Sequence, residues 1–287
     1  MQRLLWSFAS TQMWLVSIAR TMNFRPFLWL TALSLLLAIP VPQQGVDQGG
    51  MIEMDGQVFA PADPREKAEW TFARLQYDLG YQYGRFGFRR WAADWPKADR
   101  QFIRGVRRLT RIEARSTETI VDLDSDELYN WPWLYVEDAG GWRLSEKQAA
   151  RLREYLLRGG FLMADDSHGD YEWEVLVNGM RMIFPDRKIE DLPDGDEIFK
   201  VAYDLSDRVQ IPGTRYIWGY RWQITPDTAV PKWRGIRDDK GRLMIAICHN
   251  SDVGDAWEWA DSPDYPEHEA SVAYRIGVNY IIYGMTH

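Results

Sequence analysis

The sequence predicts an open α/β domain, a doubly wound and mostly parallel sheet with helices on both faces, and three observations lead there. The runs WLYV (133–136), FLMA (161–164) and LMIAIC (243–248) are apolar without interruption, as strands buried on both faces are. Segments with helical spacing lie between them, and alternating elements of this kind build α/β sheets. Each run also passes directly into acid or imidazole, where the loops of a parallel sheet gather around ligands.

In chain order, WTFARLQY (70–77) reads as the first strand and Lys97 to Leu109 as a helix. Ile120 to Leu123 supplies a further strand, followed by WLYV. Ser145 to Arg158 carries the clearest helix signals: Ser145 and Gln148 make a capping box, Leu152, Tyr155 and Leu156 form an apolar stripe, and Gly159 terminates it. With FLMA behind it, the stretch from Trp133 to Ala164 is a β-α-β unit. Tyr171 to Phe184 is a helix that stops before Pro185. Gln210 to Asp239 reads as irregular, with one or two antiparallel strands. Ala270 to Met285 closes the chain as a helix, with Ala273, Ile276, Gly277, Tyr280 and Gly284 on one face.

The first 44 residues hold Arg3, Arg20 and Arg25 but no acid and no lysine. Phe27 to Ile39 is apolar, preceded by Arg25 and followed by Pro40 and Pro42, which suits a secretory signal better than a full span of about 20 residues. No small-x-small cleavage site follows, so residues 1–44 read as a signal or an uncleaved anchor, starting at Met1 or at Met22. Residues 45–68 are rich in Gly, Pro and Asp and read as a linker. Residues 69–287 then form one domain, exported to the periplasm or anchored in the cell envelope, with membrane contact through the N-terminal segment only.

Without the three leading arginines the chain has 31 basic and 42 acidic residues, a net charge of −11. A body this acidic argues against nucleic acid as a partner. The single cysteine, Cys248, excludes an internal disulfide and any multi-cysteine zinc motif. Its place at the end of an apolar run marks it as a buried, inert thiol.

The strand tips carry the candidate chemistry. WLYV is followed by Glu137 and Asp138, FLMA by Asp165, Asp166, Ser167 and His168, and LMIAIC by His249, Asn250, Ser251 and Asp252; WTFARLQY ends at Asp78. If these strands are parallel, their tips share one rim. The ligand-binding candidates are Asp138, Asp165, Asp166, Ser167, His168, His249, Asn250 and Asp252. Adjacent aspartates face opposite sides of extended backbone, so one of Asp165 and Asp166 belongs to the rim and the other to a cap. Oxygen ligands with imidazole suit a divalent cation, but no H-E-x-x-H or calcium-loop spacing occurs, so no metal ligand is assigned, and the sequence names no cofactor or catalytic residue. Ser167 has half of a G-x-S-x-G elbow, but Asp165 replaces its leading glycine. Eight tryptophans, at 131, 133, 142, 218, 222, 233, 257 and 259, lie near proposed loops and read chiefly as packing groups.

The segments FARLQYD (72–78), ELYNWPWLYVED (127–138), LREYLLRGGFLMADDSHG (152–169), IFPDRKIEDLP (183–193), NSDVGDAWEW (250–259) and YRIGVNYIIYGMTH (274–287) carry a resemblance. Together they resemble a bacterial envelope family, the domain of unknown function 4159, over roughly residues 70–287. The resemblance implies a flavodoxin-like fold similar to class I glutamine amidotransferases, and no known reaction. Where amidotransferases carry a cysteine after the strand matching FLMA, this chain has Asp165-Asp166-Ser167. Near 196 the family tends to show Asp-His-Pro, whereas here Asp196-Glu197-Ile198 stands. The expectation is therefore a binding module for an envelope protein, a small molecule or a glycan, without the amidotransferase nucleophile. The alternative is a hydrolase of cell-wall or polysaccharide material using Asp165 or Asp166 with His168 or His249.

Overall fold

The computed structural model describes residues 52–54 and 57–59 by their backbone, and residues 66–77, 90–219 and 225–287 in full. The expected signal or anchor, most of the linker, Asp78 and Trp222 lie outside the described residues. Two short strands, β1 (Ile52–Met54) and β2 (Gln57–Phe59), pair with each other antiparallel.

Among the described residues the main sheet has seven strands: β3 (Ala73–Gln76), β4 (Thr119–Asp122), β5 (Trp133–Val136), β6 (Phe161–Ser167), β7 (Glu190–Asp191), β8 (Lys232–Arg237) and β9 (Leu243–His249). Their order is β4-β3-β5-β6-β9-β8-β7. The first five run parallel to one another; β8 is antiparallel to β9, and the edge strand β7, antiparallel to β8, runs in the direction of the first five. The helices are α1 (Lys97–Leu109), α2 (Glu146–Leu157), α3 (Gly169–Ile183), α4 (Thr214–Ile217), α5 (Val253–Glu258) and α6 (Glu267–Thr286).

Strand alternation explains why the runs are apolar throughout. Trp133, Tyr135, Phe161 and Met163 enter one buried cluster with Phe102 of α1, Trp257 of α5 and Ile276 of α6. Leu134, Val136, Leu162 and Ala164 enter a second cluster with Leu152 and Leu156 of α2 and Leu176 and Met180 of α3. Both faces are therefore dry, and a polar residue inside these runs would lose hydration on either side. On the first face Phe102 stacks on Trp257 with centroids 4.0 Å apart. The close approach of α6 depends on Gly277, where a Cβ would fall 2.4 Å from the Phe102 ring.

Ser145 and Gln148 form the capping box of α2, with Ser145 Oγ accepting from the Gln148 amide at 3.2 Å. Several boundaries differ from the sequence reading: α3 begins at Gly169 and α6 at Glu267, both earlier than expected, and β4 is Thr119–Asp122. The first strand is only Ala73–Gln76, because Trp70 makes an isolated bridge to Ala114 rather than joining the ladder. FLMA continues through Asp165 and Asp166 to Ser167, so those polar residues belong to the strand itself. The described residues of the stretch 210–239 contain α4 and one antiparallel strand, β8.

Trp133, Trp142, Trp233 and Trp257 are buried, Trp131 and Trp259 half-buried, and Trp218 exposed. Among the described residues, no helix is long and apolar enough to cross a membrane.

Candidate functional site

Parallel pairing of β5 with β6 and of β6 with β9 brings the three expected strand tips side by side. The chain order reverses between β3 and β5, since β4 follows β3 outward on one side and β5 lies on the other. In open α/β sheets such a reversal opens a crevice beyond the carboxyl ends.

Among the described residues, four non-glycine residues have left-handed backbone: Asp94 (φ 61°), Asp138 (φ 50°), Asp166 (φ 48°) and Asn250 (φ 60°). Three of them lie on β6 or just past β5 and β9, and Asp94 stands in the turn before α1. Asp and Asn adopt this conformation more readily than other residues with a Cβ, but at a cost that surrounding contacts must offset. At β6 the strand carries an extra residue: Ala164 pairs with Ile247 and Ser167 with His249, so three steps on β6 meet two on β9. Such bulges redirect side chains, and this one falls on Asp165 and Asp166.

Glu137 is fully buried beneath these tips. Its Oε2 accepts from the Tyr135 hydroxyl in a short contact, and that hydroxyl also lies 3.0 Å from Asp165 Oδ2. A phenol has one hydrogen, so contact with both acids is satisfied when one of them keeps its own proton. The electrostatics agree. Burial, then the charges of Asp94, Asp166 and Asp165, push the Glu137 carboxyl well above its ordinary value. Burial and Asp166 push Asp165 up to about 7. Asp165 Oδ2 also accepts from the Gly254 amide at 2.8 Å in the first turn of α5.

Asp94 and Asp252 complete the centre, and one carboxylate oxygen from each of Asp94, Glu137 and Asp252 lies within 4.8 Å of the others. A second group, Asp166, His168 and Asp252, meets the same limit, as does a third, Asp94, Asp255 and Glu258. Burial and neighbouring acids raise Asp94 and Asp252 well above the ordinary carboxylate range. Gly254 makes room for the group: a Cβ there would stand 2.8 Å from Asp94 Oδ2, 2.8 Å from the Tyr135 hydroxyl and 2.9 Å from Glu137 Oε2.

Asp94 is held in place from β3. The buried Arg74 guanidinium donates to the carbonyls of Trp91 at 3.0 Å and Ala93 at 3.1 Å, and its Nε donates to Asp99 Oδ2 at 2.9 Å. It also stands 3.9 Å from Glu137.

Asp166 pairs with His168 Nε2 at 2.8 Å. Burial opposes both charges, yet the contact holds Asp166 below and His168 above their ordinary values, so each favours the charged form of the other. Asp138 pairs with Arg90, which also donates to Glu172 of α3 at 2.6 Å. Burial first, then Asp166, pushes Asp138 up to about 9 despite that partner.

The remaining expected residues are placed elsewhere or serve the frame. His249 Nδ1 lies 3.0 Å from Arg234 Nη1, and its ring stacks on Trp173 at 4.7 Å. Burial and Arg234 push it down to about 4, so it is a neutral imidazole tied to β8 and α3 rather than to Asp166 or His168. Asn250 accepts from the Gly169 amide and donates to the carbonyls of Asp227 and Val230, fixing loops. Ser167 Oγ is buried without a hydrogen-bond partner among the described residues. Cys248 is buried, and burial pushes its thiol well up.

The residues that sequence reasoning passed over are Asp94, Asp255, Arg74 and Tyr135. Glu137 follows the WLYV run directly, but the expected ligand residue at that tip is Asp138. For Tyr135 and Glu137 a signal existed, because a polar tip that continues strand alternation points Glu137 to the Tyr135 face.

These features define an α/β domain with a buried acidic cluster at the carboxyl ends of its parallel strands. The chain belongs to the family described as "Domain of unknown function (DUF4159)", whose model matches residues 71–285. No curated protein matches the sequence.

Proposed function

We propose that this chain is an exported or membrane-tethered α/β domain of the bacterial cell envelope that binds a ligand or partner at its acidic strand tips, without nucleophilic catalysis. The observation that carries this reading is the convergence of Asp94, Glu137, Asp166 and Asp252 in a cluster where neither possible nucleophile has its partner. Ser167 Oγ has no hydrogen-bond partner among the described residues, and the Cys248 thiol is buried with its proton held firmly. Nucleophilic catalysis needs that hydrogen-bonded base. The parallel order β4-β3-β5-β6 also supports a flavodoxin-like, amidotransferase-like reading of the fold.

A second reading has one contact in its favour. The Asp166–His168 pair could serve acid/base hydrolysis of cell-wall or polysaccharide material. The full chain, assayed with ester, glycoside and phosphoester substrates in the presence of a chelator, is expected to show no turnover above background. Turnover that disappears in Asp166→Asn would replace the binding reading with the hydrolytic one.

Export rests on the leader composition, with Arg25 preceding the apolar run 27–39. A fusion of alkaline phosphatase to the C-terminus, expressed in a Gram-negative host, is expected to be active, and removal of residues 22–44 to abolish that activity. An inactive but intact fusion would place the domain in the cytoplasm.

A further inference from the structure

We propose that Asp94, Glu137 and Asp252 hold a divalent cation, and that Asp166 and His168 form an adjoining cation position that shares Asp252. The inference rests on the reading that the strand tips are a ligand site, and it names the ligand's chemistry.

The geometry comes first. Divalent cations take oxygen ligands at about 2.0–2.6 Å, so donors on opposite sides of one ion stand about 4–5 Å apart. The three oxygens of Asp94, Glu137 and Asp252 all lie within 4.8 Å of one another, inside that span. They arrive from three separate elements: the turn before α1, the end of β5 and the residue preceding α5. Asp252 Oδ1 accepts from the Asp255 amide at 2.8 Å, which fixes the orientation of this carboxylate at the start of α5. Asp166, His168 and Asp252 satisfy the same limit, so the two positions are neighbours through Asp252, as in two-metal sites.

A second observation points to a ligand independently of the clustering. Glu137 is fully buried, and its Oε1 has no hydrogen-bond partner among the described residues. A fully buried carboxylate oxygen without a donor is rare, because it loses hydration and receives nothing in exchange. The nearest guanidinium, Arg74, is occupied by Asp99 and by the Trp91 and Ala93 carbonyls. Among the described residues, neither Asp94 nor Asp252 has an ion pair with Lys or Arg. A divalent cation seated against Glu137 Oε1 would supply the missing partner and offset two of the three negative charges.

Donor type narrows the ion. Three carboxylates suit Mg2+, Ca2+ or Mn2+, and the imidazole of His168 adds a nitrogen that favours Mn2+ or Zn2+ at the second position. Mn2+ satisfies both and can be detected by its electron spin.

The test uses the full chain stripped with a chelator, titrated with Mn2+ by calorimetry and by electron paramagnetic resonance. Saturable binding below 1 mM is expected, roughly, since sites of this donor count fall in or below that range. Glu137→Gln and Asp94→Asn are expected to weaken it at least about tenfold, a change of about 1.4 kcal/mol. His168→Gln is expected to spare the first position and to remove a nitrogen coupling from the Mn2+ spectrum. Circular dichroism of the metal-free variants separates a lost site from a lost fold. If folded parent protein binds none of Mn2+, Mg2+, Ca2+ or Zn2+ below 1 mM, or if folded Glu137→Gln and Asp94→Asn bind as the parent does, the inference is overturned. Failure here leaves the non-catalytic reading to its own substrate assay. Conversely, Mn2+ binding together with Mn2+-dependent turnover would uphold the cation site and remove that reading.

Discussion

Replacing Arg74 with leucine is expected to destabilise the protein by about 3–5 kcal/mol, the range for breaking a buried ion pair by removing one partner. At about 2–4 °C per kcal/mol for a domain of this size, the melting temperature should fall by about 6–20 °C. Both side chains of the Arg74–Asp99 pair are fully buried. Burial pushes the Asp99 carboxyl up to about 6 even with the guanidinium beside it, so desolvation outweighs attraction here. Removing Arg74 would strand Asp99 and also release the carbonyls of Trp91 and Ala93. The cost therefore has a spatial consequence: the turn that presents Asp94 loses its anchor on β3. Leucine at both 74 and 99 should recover part of the loss, because a buried pair replaced by apolar groups is often neutral. Denaturant unfolding of the two variants checks this; a single variant within about 1 kcal/mol of the parent would refute it.

The second large effect is on pH. In chelator-treated protein, stability is expected to fall as pH rises from 6.5 to 9. Asp165 and Asp138 titrate at about 7 and about 9 when folded, against 3.8 for the ordinary carboxyl. Folded values above unfolded values mean that the native state holds protons which the unfolded chain has released. Their contribution is full below the unfolded value and is lost as pH climbs through the folded ones. His168, also raised, acts in the same sense. Asp94, Glu137 and Asp252, packed against this centre, are raised too. His249, pushed down to about 4, has the opposite sign, but its effect is confined to pH below its unfolded value of 6.5. A net loss of about 2 kcal/mol across the window would lower the melting temperature by about 4–8 °C. Asp138→Asn should flatten the upper part of the profile, and a flat or rising curve in the parent would contradict the account.

Legibility followed physical cause. The unit from β5 through α2 to β6 was readable because capping, helical stripe and two-sided apolar strands all agree locally. β7, with two residues, lacks enough length to show a period. Parallel pairing made the meeting of Asp166 with Asp252 foreseeable from the runs that precede them. Asp94 was not foreseeable, since WAADWPKADR has no strand pattern and reaches the tips through Arg74, a contact made between β3 and a distant turn. His249 ends a correctly read strand, but its ring is taken up by Trp173 and Arg234 from the other side, which strand spacing alone does not reveal.

In a regular strand, neighbouring side chains are antiphase, and two aspartates in a row would be divided between opposite layers of the domain. The extra residue on β6 breaks that phase where the acids occur. Asp165 can then meet Tyr135 while Asp166 joins Asp252, and one strand delivers two consecutive negative groups to a common destination. A chain that kept perfect pleating would have to recruit its second acid from another strand.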